Sequence, residues 1–123
     1  MKVIIAGSRG CENYEHLKEC MDYWKKVHPV PTYIISGTAR GADRLGERWA
    51  EEHGVDLIRM PANWDKFGRS AGYKRNEAMA EIADGLVAIW DGKSRGTMHM
   101  IEIAKRKGLK VAVFKDRKMA MTV

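Results

Sequence analysis

The chain has 123 residues, of which 45% are hydrophobic and 31% charged, with a formal net charge of +6. That length and balance describe one globular domain able to bury a core without staples, and they exclude a disordered chain. The positive charge favours anionic ligands such as nucleotides, phosphates or nucleic acid, although basic proteins are also common for solubility alone.

No apolar run approaches the roughly 20 residues that span a bilayer, so no membrane partner is expected. The run Val3–Ala6 is far too short for a signal-peptide core and is ended by Gly7. Cys11 and Cys20 suggest no disulfide framework, and with four scattered histidines they match no zinc pattern. A reduced, cytoplasmic protein without metal or cofactor is expected.

Taken in order, Lys2–Ala6 reads as a buried strand, followed by the glycine loop Gly7-Ser8-Arg9-Gly10. Glu12 or Asn13 starts a helix with Leu17, Met21, Trp24 and Val27 at helical spacing, and Pro29 and Pro31 stop it. Tyr33–Ile35 is a second strand, and Ser36-Gly37-Thr38-Ala39-Arg40-Gly41-Ala42-Asp43 a second glycine loop. A helix over about Ala42–His53 turns Leu45, Trp49 and Ala50 inward, with Gly54 as its cap. Val55–Met60 is a third strand, ended by Pro61. The stretch Ala62–Ala71 has neither helical nor strand period, and it is long for an α/β connection, where about 2–6 residues is usual, so it reads as a lid.

A helix then opens on Lys74, Arg75 and Asn76 and carries Met79, Ile82 and Ala83. The apolar run Leu86–Trp90 is a fourth strand, breaking into Asp91-Gly92-Lys93-Ser94-Arg95-Gly96-Thr97. A helix over about Thr97–Lys107 presents Met98, Ile101 and Ala104, Gly108 caps it, and Leu109–Phe114 is a fifth strand. Strands alternate with helices throughout, which predicts a single-domain three-layer α/β fold of about five parallel strands with helices on both faces. The domain spans 1–114, and 115–123 is a polar tail.

In such sheets the ligand lies outside the carboxyl ends of the strands, where strand order reverses. The glycine loops after the first, second and fourth strands all fall on that edge. Unpaired amides and the positive helix end converge there, so each loop is suited to an anion. The first loop lacks the G-x-G-x-x-G spacing of a dinucleotide fingerprint and is not a P-loop, so Arg9 is its informative residue. The second adds hydroxyls on Ser36 and Thr38 and charge on Arg40. Asp43 serves equally as a partner of the helix dipole or as an acceptor for ribose hydroxyls. Trp90 reads as packing. Trp64, between Asn63 and Asp65, reads as packing beneath its loop, with base stacking or a lid role as the alternative. Cys11 is read as inert, with no base placed to activate it.

The ordered motifs G-S-R, S-G-T-A-R-G-A-D, N-W-D-K-F-G-R-S-A-G, K-R-N-E-A-M and D-G-K-S-R-G-T cover about residues 2–114. In that order the chain resembles the SLOG superfamily, and more narrowly its small stand-alone YspA and YpsA-related branch. Other members are the Lonely Guy phosphoribohydrolases, which cleave a base from a nucleoside monophosphate, and DprA, which binds single-stranded DNA. The resemblance implies a Rossmann-like sheet and a nucleotide-type pocket, without one fixed reaction. Laid onto the loops, it implies ligand contacts from Gly7, Ser8 and Arg9, and from Ser36, Gly37, Thr38, Gly41 and Asp43. It adds Arg75, Asn76 and Met79, then Gly92, Ser94, Arg95, Gly96 and Thr97.

The hydrolases carry an arginine four residues before a methionine, a strand, then P-G-G-x-G-T-x-x-E. Arg75 and Met79 keep the first spacing and Gly96-Thr97 keep the G-T, but Trp90-Asp91-Gly92 replaces P-G-G and Met100 stands in place of the glutamate. Glu102 lies about 200° around the helix from position 100. The expected function is therefore binding of a phosphorylated nucleotide or nucleotide-derived ligand, in a sensor or signalling role. The alternatives are a nucleotide N-glycosidase, with Arg75 catalytic and Asp43 or Asp91 supplying the acid, or single-stranded DNA binding supported by Lys105-Arg106-Lys107. Superfamily relatives often assemble, so a homo-oligomer is expected.

Overall fold

The structure, a computed structural model, describes residues 1–117. Its sheet is built from β1 (Lys2–Gly7), β2 (Tyr33–Ser36), β3 (Asp56–Arg59), β4 (Gly85–Trp90) and β5 (Lys110–Lys115). All four pairings are parallel, and the order is β3-β2-β1-β4-β5. β1 is central, and Val3, Ile4 and Ile5 are wholly buried because the sheet is covered on both faces.

The two-residue period of the strands divides the core. Val3, Ile5, Ile34, Val87 and Ile89 face α1 (Tyr14–Val27) and α2 (Ala42–Glu52), where Leu17, Met21, Trp24 and Trp49 pack. Ile4, Ile35, Leu86 and Ala88 face the opposite layer. That layer is α4 (Ala71–Ile82) and α5 (Arg95–Arg106), contributing Met79, Ala80, Met100, Ile101 and Ala104. The three-layer α/β fold read from the sequence is the fold observed.

Local chemistry places the helix ends. Asn13 caps α1 by accepting from the His16 amide at 3.1 Å, and Ser94 caps α5 by accepting from the Thr97 amide. Gly54, at φ +65°, follows the capping residue His53 of α2.

Several expectations need correction. Within the stretch 62–71 the chain is helical from Trp64, with α3 (Trp64–Phe67) and a 3₁₀ turn (Gly68–Ser70) leading into α4. Its side chains are almost all exposed, so it shows no buried stripe in sequence. α4 consequently begins at Ala71, and Lys74–Asn76 lie beyond its first residues. Val27 is exposed, falling in the last turn of α1. Met98 is also exposed, because successive three-residue steps each lag about 60°, which puts Met98 about 120° away from Ala104 on a 3.6-residue helix. Met100 and Ile103 are buried instead. Lys115, read as tail, closes β5, while the rest of the tail from 118 onward lies outside the described residues.

Glycine sets the closest approach in the sheet. A Cβ at Gly7 would lie 2.1 Å from the Ile89 carbonyl oxygen and 2.8 Å from Ala42 Cβ, whereas a Cβ at Gly96 meets nothing within 4 Å. Gly7→Ala should therefore destabilise the fold by about 1–3 kcal/mol or more through overpacking. Gly96→Ala should leave stability unchanged or raise it by up to about 1 kcal/mol through helix propensity. Urea unfolding of both variants checks this, and equal midpoints would contradict it.

Candidate functional site

Strand order reverses between β1 and β4, since the chain leaves β1 toward β2 on one side and returns to β4 on the other. The crevice at such a point is where α/β sheets admit ligands. Here it is a cleft of two lobes, of about 460 Å³ and about 410 Å³. Both lobes are bordered by Arg9, Ala39, Trp64 and Arg75, which form the waist between them.

The first lobe takes Gly7, Arg9, Asp43, Arg75, Asn76 and Met79 from the predicted set, with Ser94, Gly96 and Thr97 from the start of α5. Gly37 and Thr38 line the second lobe, with Arg40, Pro61 and Ala62. Five predicted residues line neither. Ser8 is buried, its hydroxyl accepting from the Asp91 amide at 2.9 Å. Ser36 is buried and donates to Glu47 at 2.7 Å. Gly41, at φ +83°, is the N-cap of α2, where a Cβ would lie 2.2 Å from the Ser8 carbonyl oxygen. Gly92, at φ +81°, turns the chain after β4, and Arg95 is an exposed first residue of α5.

The second loop is held by charged side chains. Arg75 donates from Nη1 to the Gly37 carbonyl and from Nε to Asn76 Oδ1 at 3.1 Å. Asn76 in turn donates to the Gly96 carbonyl at 3.2 Å, which ties β2, α4 and α5 together. Asp43 Oδ2 accepts from the Ala39 amide at 3.1 Å, and Ser36 Oγ from the Thr38 amide at 3.0 Å. Between them Thr38 is held at φ +66°, a strained conformation for a β-branched residue. Arg75 is therefore half-buried, holding the second loop while it borders both lobes.

At α5, Ser94 caps the Thr97 amide, and the amides of Arg95 and Gly96 have no intrahelical partner. Ser94, Gly96 and Thr97 at this positive helix end line the first lobe, as an anion site requires. Asp91 is not a free base, because its Oδ1 accepts from the Lys93 and Ser94 amides, both at 2.8 Å. Those amides, Ser94 first, hold its carboxyl below the ordinary range. Cys11 is buried, and burial pushes its thiol up to about 12, with Asp116 adding to the shift, so it carries no thiolate.

Sequence reasoning left out Arg69, Gly72, Tyr73, Asp91 and Met100 as binding residues, all of which line the first lobe. The first three lie within or next to the N-W-D-K-F-G-R-S-A-G stretch, whose unusual length was the available signal. Trp64 does not pack beneath its loop but is exposed at the cleft. Among the described residues, no group of three or more His, Cys, Asp or Glu could hold a metal ion, and no helix is long and apolar enough to cross a membrane.

Burial pushes the Asp43 carboxyl up to about 6 from an ordinary 3.8, against the pull of the Ala39 amide and the Arg75 charge. The native protein then holds a proton that the unfolded chain releases, so the resulting stability is complete below about pH 4 and is lost as pH rises to about 6. Asp43→Asn keeps an acceptor for Ala39 without the charge. It should match wild type at pH 4 and exceed it at pH 8 by up to about 3 kcal/mol, on the order of 1.36 kcal/mol per unit. Urea unfolding across that range reads the difference.

Residues 1–67 match the model of the YAcAr family, described as the YspA, cpYpsA-related SLOG family. Gene 61 protein of Mycobacterium phage D29 is 31% identical over 122 residues, covering 94% of this chain and 98% of that protein. Among solved structures the fold is similar to DNA processing protein A (DprA) from Streptococcus pneumoniae, with a TM-score of 0.72 over 91% of this chain and 20% identity. That likeness is one of fold, and the chain spans about half of the DprA chain, 49% of its length. Family match and phage relative together assign the sequence: the chain belongs to the YspA, cpYpsA-related SLOG family.

Proposed function

We propose that this protein binds a phosphorylated nucleotide or nucleotide-derived small molecule in the two-lobed cleft, in a sensor or signalling role, through one module spanning 1–114. The observation that carries this reading is the convergence of three loops, after β1, β2 and β4, on a single cleft at the strand-order reversal. Arg9 and Arg75 supply positive charge at its waist, and the start of α5 supplies amides and the Ser94 and Thr97 hydroxyls for phosphate. Asp43 supplies an acceptor suited to sugar hydroxyls.

A nucleotide N-glycosidase is the second reading, favoured by Asp43, a carboxyl in the cleft raised to about 6 and so able to exchange a proton near neutrality. Against it, the wall of the cleft where the resemblance places a carboxylate is Met100, which is 1% exposed. Glu102 is exposed and lines neither lobe. DNA binding enters through the fold shared with DNA processing protein A. Its support in sequence, Lys105-Arg106-Lys107, sits at the far end of α5 from the cleft, with Lys107 paired to Glu81. The cleft itself favours a small anionic ligand.

Nucleoside phosphates should raise the melting temperature of the protein more than the corresponding nucleosides. A ligand at 100 times its dissociation constant adds about 2.7 kcal/mol. In calorimetric titration, Arg75→Ala should weaken binding at least tenfold, with partial recovery in Arg75→Lys, since hydrogen bonds to charged groups contribute about 1.5–3 kcal/mol. A panel response no larger than that to sulfate would remove the nucleotide reading. Chromatography of incubated nucleoside monophosphates should detect negligible free base, and turnover on the order of one per second would favour the N-glycosidase instead.

A further inference from the structure

The four tryptophans divide sharply by environment. Trp24 and Trp49 are at most 1% exposed in the core, and Trp90 is half-buried with its indole N–H donated to the Ser94 carbonyl at 3.0 Å. Trp64 is 53% exposed and borders both lobes of the cleft, as do Arg9 and Arg75. An indole left this open loses the apolar burial that ordinarily places tryptophan in a core.

Its neighbours also leave it without a partner. The ammonium groups of Lys66 and Lys74 lie over the Phe67 ring, at 5.1 and 5.0 Å from its centroid. Tyr73 meets His99 edge-on at 4.6 Å. Among the described residues, Trp64 takes part in no ring–ring or cation–π contact. Yet its position is defined, because Asn63 caps α3 by accepting from the Lys66 amide at 3.1 Å. Gly72 beneath it is close, with a Cβ there lying 3.5 Å from Trp64 Cη2. The ring is thus seated on the start of α4 and open toward the cleft.

We propose that Trp64 is the base platform of the site: the nucleobase stacks on its indole while the phosphate occupies the start of α5 beside Arg9 and Arg75. This rests on the nucleotide reading above and adds to it a division of labour. Charge and amides hold the phosphate at one end, and a sequence-tolerant aromatic surface holds the base, since every nucleobase presents a π-face. The platform therefore selects for a planar aromatic group joined to the phosphate without choosing strongly among the four bases. The segment 62–71, the exposed connection from β3 to α4, acquires its role as the carrier of this ring.

The experiment compares two probes on the wild type, Trp64→Ala and Trp64→Phe: a set of nucleoside 5′-monophosphates, and ribose 5-phosphate, which has the sugar and phosphate but no base. Trp64→Ala should weaken the nucleotides about 5- to 150-fold, equivalent to about 1–3 kcal/mol. It should leave ribose 5-phosphate affinity within about twofold, and Trp64→Phe should recover most of the loss. Nucleotides, but not ribose 5-phosphate, should quench tryptophan emission in wild type, and the quenching should vanish in Trp64→Phe. Equal losses for both probes, or no loss for either, overturn the platform. Nucleotide binding that is intact in wild type but indifferent to Trp64 overturns this inference alone, whereas a wild type that binds neither probe overturns the nucleotide reading with it.

Discussion

Ser8 is the pin on which the site depends. Its amide donates to the Ile89 carbonyl at 3.0 Å, and its carbonyl accepts from the Cys11 and Ala42 amides at 3.1 and 3.3 Å. Its hydroxyl accepts from the Asp91 amide at 2.9 Å. One buried residue thereby joins the exit of β1, the exit of β4 and the start of α2. The missing side chain of Gly7 permits the approach, since a Cβ there would collide with the Ile89 carbonyl. The two strands that flank the reversal of strand order thus end at a defined spacing, set by backbone bonds and by the buried Ser8 hydroxyl.

On that frame a polar clamp shapes the second loop. Arg75 holds the Gly37 carbonyl and Asp43 holds the Ala39 amide, and Thr38 is kept at a positive φ that costs on the order of 1–3 kcal/mol. The same two side chains border the cleft. Burial lowers the basicity of Arg75 and the charge of Arg9 lowers it further, while Asp43 opposes both. The waist of the cleft therefore carries two guanidiniums. The first lobe beside it adds Arg69 and the carboxyls of Asp91 and Asp43, the latter raised toward neutrality, so positive charge is left for an incoming anion.

The phage relative extends over nearly the whole chain, whereas the DprA chain is about twice as long. The element shared with DprA is thus the fold. Within it, chemistry can be altered at single positions. Met100 both lines the cleft and packs in the core from the buried face of α5, so a carboxylate at that position would have to be desolvated as well as bring a charge to the cleft.

The sequence by itself determined the alternation of strands and helices, the parallel sheet and the edge on which a site would lie. Those follow from local periods: β-branched runs bounded by glycine, helical stripes such as Leu17, Met21 and Trp24, and caps such as Asn13. It also placed Arg9, Arg75 and Thr97 on that edge, because each sits in or beside a loop whose end of the sheet is dictated by strand direction. What it left open depended on contacts between segments distant in the chain. Ser8 and Ser36 look like ligand donors until the Asp91 amide and the Glu47 carboxylate are found beside them, 83 and 11 residues away. Arg75 reads only as a ligand contact until Gly37, 38 residues earlier, is seen to accept from it. Helical structure in 64–70 left no periodic trace because that segment buries no stripe, and Trp64 stays exposed for the same reason. Hydrophobic periodicity reports which face of an element meets the core. Whether a polar or aromatic side chain is consumed by the fold or left for a ligand is settled only by what tertiary packing brings against it.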